Sequence, residues 1–97
     1  MTVKDMFQVG EIMESEDKSK KIKILDGDDC EITGKVLNKH KIILHMKRLS
    51  DESEGNVFVR LKDEHESNFE MSKKLLATKK IIGMTLNQFK NLSLDDL

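Results

Sequence analysis

Between Lys20 and Leu61 the chain alternates apolar and polar residues in four short runs, KKIKIL, CEITGKVL, KIILHMKRL and NVFVRL. A period of two sends successive side chains to opposite faces of a strand, so the runs predict half-buried strands and not a helical stripe. On that count Ile22, Ile24, Cys30, Ile32, Val36, Ile42, Leu44, Met46, Val57, Val59 and Leu61 share one apolar face. The positions between them are Lys21, Lys23, Glu31, Thr33, Lys35, His45, Lys47, Phe58 and Arg60, with Ile43 as an apolar exception. Six of those nine are Lys, Arg or His, so the second face reads as basic.

Turn residues separate the runs. SEDKS at 15 to 19 reads as a turn, DGDD at 26 to 29 as a tight hairpin between its flanking strands, and Asn38 to His40 as a second hairpin. SDESEGN at 50 to 56 reads as an acidic loop, and Gly34 inside a strand marks a bend or bulge. Ahead of the runs, Thr2 with Asp5 has the form of a capped helical turn that leads into a strand near Val9 to Glu14.

After Leu61 the period lengthens. Ser67 and Glu70 have capping-box spacing, and Phe69, Leu75, Leu76 and Ile82 recur at helical intervals up to Gly83, which predicts one amphipathic helix from Asn68 to Ile82. Thr85 and Gln88 repeat the capping form ahead of Leu86, Phe89 and Leu92, a second, shorter helix, and SLDDL reads as a frayed end. The expected fold is therefore α+β: a twisted antiparallel sheet or small β-barrel of about five strands, followed by one amphipathic helix and a short C-terminal helix. The 97 residues read as one small domain, with a sheet-forming part at about 8–62 and a helical part at about 67–92.

Composition narrows the function classes. The net charge of −1 hides segment balances of −3 over residues 1–19, +4 over 20–48, −5 over 49–72 and +3 over 73–97, so a locally basic surface is compatible with a neutral whole. No stretch approaches the roughly 18 apolar residues that cross a bilayer, and no membrane role is expected. The opening residues hold no apolar run of signal-peptide type and Cys30 has no disulfide partner, which points to a reducing cytoplasm.

Catalytic and metal-binding patterns fail on spacing. Asp26, Asp28 and Cys30 begin like a calcium loop, but Glu31 and Leu37 stand where that loop needs glycine and a bidentate glutamate. Cys30, His40, His45 and His65 lack zinc-ligand spacing, and nothing in the sequence brings a base to Cys30. Asp63, Glu64 and Glu66 around His65 are explained by the positive end of the following helix, and no phosphate-binding glycine loop occurs. No enzyme activity, cofactor or metal is expected.

What remains is binding. The candidate face is Lys21, Lys23, Lys35, Ile43, His45, Lys47, Phe58 and Arg60. The sequence points first to a small non-catalytic module that binds another protein, in the compositional style of a phage or mobile-element regulator or inhibitor. A nucleic-acid-binding domain is the alternative, its lysines neutralising phosphates while Phe58 stacks on a base. A homo-oligomer formed through an edge strand is compatible with either.

Overall fold

The computed structural model describes residues 1–39, 41–62 and 69–97. A four-residue helix α1 (Val3–Met6) leads into six strands, β1 (Phe7–Val9), β2 (Ile12–Glu14), β3 (Lys21–Lys23), β4 (Cys30–Asn38), β5 (Lys41–Arg48) and β6 (Glu54–Leu61). The helices α2 (Phe69–Ala77) and α3 (Leu86–Lys90) follow. The strands form one antiparallel sheet in the order β3, β2, β6, β5, β4, with β1 also paired to β6, and the sheet stays open. The α+β class holds, with six strands and no closed barrel.

β1 and β2 are two halves of one path along β6. Phe7 to Val9 pair with Leu61 to Val59, Glu14 meets Asn56, and between them the Gly10 amide donates to the Phe58 carbonyl at 2.8 Å. The kink at Gly10 brings the two backbones so close that a Cβ there would lie 3.0 Å from that carbonyl.

Asp26 to Asp29 turns the chain, with Gly27 at φ +91°, but it is not a hairpin. β3 pairs with β2 at one edge and β4 pairs with β5 at the other, so this segment crosses the end of the sheet. Arg48 ties it down: its guanidinium grips Asp51 and stands 3.5 Å from Asp28, while the Leu49 amide donates to the Asp29 carbonyl at 2.9 Å. The hairpin lies one turn earlier: β3 pairs with β2 across the turn at 15–19, and DGDD supplies a turn without joining paired strands.

One face of the sheet is the core. Cys30, Ile32, Ile42, Leu44, Met46, Val57 and Val59 are buried, joined by Val3, Met6, Phe7 and Met13 from the N-terminal elements and by Leu75, Ile81, Leu86, Phe89 and Leu94 from the C-terminal ones. Ile22, Ile24 and Leu61 pack at its margin. Val36, expected in this core, is 58% exposed. The cause is a bulge in β4: the register with β5 shifts between Ile32 and Gly34, and every residue beyond changes face. Lys35 then stands opposite Leu44 on the core side, and Val36 opposite Ile43 on the other.

The long helix is shorter than its sequence suggests. α2 ends at Ala77, Thr78 opens a separate 3-10 turn over Lys79–Ile81 by accepting from the Lys80 amide at 3.3 Å, and Ile82 is extended and exposed. The carbonyls of Leu76 and Thr78 go to the Lys35 ammonium, which fastens the end of α2 to β4. The expected cap at Ser67, the start at Asn68, and Asp63, Glu64, His65 and Glu66 lie outside the described residues, as does His40.

Past Gly83 the chain docks on the free edge of β4, with the Gly83 amide donating to the Ile32 carbonyl and the Ile32 amide to the Met84 carbonyl, both at 2.8 Å. The capping box at Thr85 forms as expected: the Thr85 amide donates to Gln88 Oε1 and the Gln88 amide to Thr85 Oγ1. The last residues do not fray. Ser93 caps a 3-10 turn at Leu94–Asp96, Leu94 is buried, and the Val3 amide donates to the Leu92 carbonyl at 3.0 Å.

Candidate interaction face

The described helices bury their apolar side chains in the core face, and none of them covers the opposite face of the sheet. Its rows follow from the strand register. Across the middle run Val36, Ile43 and Phe58, neighbours on β4, β5 and β6, and beyond Gly10, which stands against Phe58, Ile12 of β2 lies on the same face. Val36 and Ile12 are 58% and 50% exposed, while Ile43 and Phe58 are half-buried between their neighbours.

On one side of this apolar row lie Asn38, Lys41, Arg60 and Gln8. On the other lie Gly34, His45, Asn56, Glu14 and Lys21, and beyond them Glu31, Lys47 and Glu54. Lys23 stands at the end of the apolar row, opposite Ile12.

Of the eight residues expected to share a face, seven do: Lys21, Lys23, Ile43, His45, Lys47, Phe58 and Arg60. Lys35 does not, because the β4 bulge turns it inward to α2. Lys41 belongs to the face and was overlooked, although the alternation of Ile43, His45 and Lys47 carried two residues back gives it. Glu14, Glu54, Ile12 and Gln8 were missed because they sit on or beyond the ends of the apolar runs. The face is therefore less basic than it first reads, with Glu14, Glu31 and Glu54 set among Lys21, Lys23, Lys41, Lys47 and Arg60.

The charges on the two sides differ in how they are matched. His45 bonds Asn56 Oδ1 through Nδ1 at 3.1 Å and approaches Glu54 at 3.8 Å, and Lys47 stands 3.7 Å from Glu52. Lys21, Lys23, Lys41 and Arg60 have no carboxylate partner among the described residues.

Gly10 leaves a gap in the surface. Gln8, Gly10, Phe58 and Arg60 line an open notch of about 230 Å³, flanked by Phe58 where the neighbouring strand has no side chain. A second hollow of about 610 Å³ shares Gln8 and Gly10 and runs past Glu11 and Ile12 to Lys23. Together they make a shallow groove beside the apolar row.

Among the described residues no group of His, Cys, Asp and Glu could hold a metal ion. Cys30 is fully buried, and burial together with the Asp29 and Asp28 carboxylates pushes its thiol pKa up, away from nucleophilic use. No described helix is long and apolar enough to cross a membrane. No protein-family model, curated protein or solved structure matches the chain.

Proposed function

We propose that the protein is a non-catalytic interaction module that binds another protein through the helix-free face of its sheet. The observation that carries this reading is the row Val36, Ile43 and Phe58, three apolar side chains in line across three strands, with Ile12 on the same face beyond Gly10, on a face that no described helix covers. Isolated exposed apolar residues are ordinary, but a contiguous row with a polar rim is the pattern of a docking surface. Phe58 at its centre, beside an open notch, is placed as an aromatic anchor.

Nucleic-acid binding is the second reading, supported by Phe58, Arg60, Lys41 and Lys23 lying together. It is weaker on two counts. Readers that stack bases use two or three aromatics, and this face has one; and three glutamates share it.

The test is comparative capture from a native extract, with wild type and Phe58→Asp as baits of equal fold by circular dichroism. A protein retained by wild type and lost by the variant supports the reading. Identical captured sets, or none, would overturn it.

A further inference from the structure

We infer that the partner of this face is an acidic segment of another protein, seated with an apolar side chain in the notch beside Phe58 and its carboxylates on Arg60, Lys41 and Lys23. The inference rests on the interaction reading above and adds the chemistry of the occupant. It starts from charge. On the far side of the apolar row Lys47 stands by Glu52 and His45 by Asn56 and Glu54, and Lys21, though in no ion pair among the described residues, is set opposite Glu14 across the strands. On the notch side Arg60 and Lys41 sit directly opposite each other on β6 and β5, with neutral Gln8 and Asn38 outside them and no carboxylate partner among the described residues. Two adjacent like charges repel, and an incoming carboxylate relieves that repulsion while gaining both cations.

Shape agrees with charge. The notch of about 230 Å³ has room for one apolar side chain, between the Phe58 ring and the bare backbone of Gly10, with Arg60 at its rim. The groove then continues past Ile12 to Lys23, another cation without a carboxylate partner among the described residues, so a segment laid along it meets a cation at either end. Glu11 is the one carboxylate in the lining, and it disfavours an acidic side chain near the middle of the groove, so the carboxylates of the occupant belong at its ends. The apolar row disfavours a purely electrostatic ligand, because a polyanion alone leaves Val36, Ile43 and Ile12 in water.

The experiment is selection of a random-peptide display library on the immobilised full chain, with titration of the enriched peptides against wild type, Phe58→Asp, Arg60→Glu, Lys41→Glu and Lys47→Glu. Enriched sequences should place two or more Asp or Glu around an apolar residue. Their affinity should fall about tenfold or more in the Phe58, Arg60 and Lys41 variants and much less in the Lys47 variant. Retention of the wild-type thermal transition by the Lys41 or Arg60 variant separates lost binding from lost fold. Basic or uncharged peptides that still depend on Phe58 would overturn the acidic partner while leaving the interaction reading in place. Peptides indifferent to Phe58→Asp would overturn both. An empty selection overturns the inference, as does a thymidine oligonucleotide that binds wild type and is released by Arg60→Glu.

Discussion

Lys35 reaches from β4 to Leu76, where its ammonium donates to the backbone carbonyl at the end of α2 and also to that of Thr78. The last carbonyls of a helix have no partner within the helix, and they form the negative end of its dipole, so a cation there satisfies both hydrogen bonding and charge. Lys35→Met keeps the apolar stem and removes the donor. It should destabilise the fold by about 1 to 2 kcal/mol in denaturant unfolding, with amide exchange accelerated first in α2. Binding through the helix-free face should be unchanged.

Val36 gives the complementary result. A strict alternation would bury it, and a charge there would then prevent folding. With the side chain 58% exposed on the outer face, Val36→Lys should shift stability by no more than about 0.5 kcal/mol, whereas Val59→Lys, at a fully buried site, should not fold. Denaturant midpoints of the two variants decide between the two placements.

Gly55 lies opposite Met46 on the core side of the sheet, where a Cβ would fall 2.5 Å from Met13 Cγ and 2.9 Å from the Glu14 carbonyl. Gly55→Ala should therefore cost about 1 to 3 kcal/mol by overpacking. Met13→Ala in the same chain should recover part of that cost, since one of the two clashes is with its side chain. A double-mutant cycle measures the coupling.

Acid should loosen the hairpin between β2 and β3. The Asp17 carboxylate accepts from the Ser19 hydroxyl at 2.6 Å, the Ser19 amide at 3.0 Å and the Ser15 hydroxyl at 2.7 Å, which holds its pKa down to about 2. A depressed carboxylate pKa adds stability that is fully present above the unfolded value of about 3.9 and is lost as pH falls through the folded one. The thermal transition of wild type should approach that of Asp17→Asn between about pH 4 and pH 2, and stay above it at neutral pH. Asp51, held low by the Arg48 guanidinium, shifts the wild type in the same sense.

The core of β4, β5 and β6 was legible because those strands are long enough for a period of two to repeat. Ile42, Leu44 and Met46 alternate without interruption, and so do Val57 and Val59. Val36 and Lys35 were misplaced because parity was carried through Gly34, although glycine within a strand is itself the sign of a bulge. β3 was legible as a strand but not as the neighbour of β2, since the stronger Asp-Gly signal on its far side points to β4 while the turn that joins it to β2 is the SEDKS segment, which lacks glycine. The break at Thr78 has one local sign, the hydroxyl that caps the following turn, but the lysine that caps the end of α2 lies on β4, out of reach of any local pattern. The matched and unmatched cations of the outer face needed the register, which alone brings Arg60 beside Lys41.

The bulge in β4 works like a shift of reading frame within a strand. One extra residue near Thr33 decides, for everything up to Asn38, which side chains hold the domain together and which meet other molecules. Straightening the bulge with every residue kept would exchange Lys35 and Val36 at a stroke, cutting the tie to α2 and breaking the apolar row together. Deleting Thr33, by contrast, takes out the unpaired residue and leaves Lys35 opposite Leu44 and Val36 opposite Ile43, so a variant shortened there by one residue should keep both the tie and the row, while one lengthened by a residue between Gly34 and Lys35 should lose both.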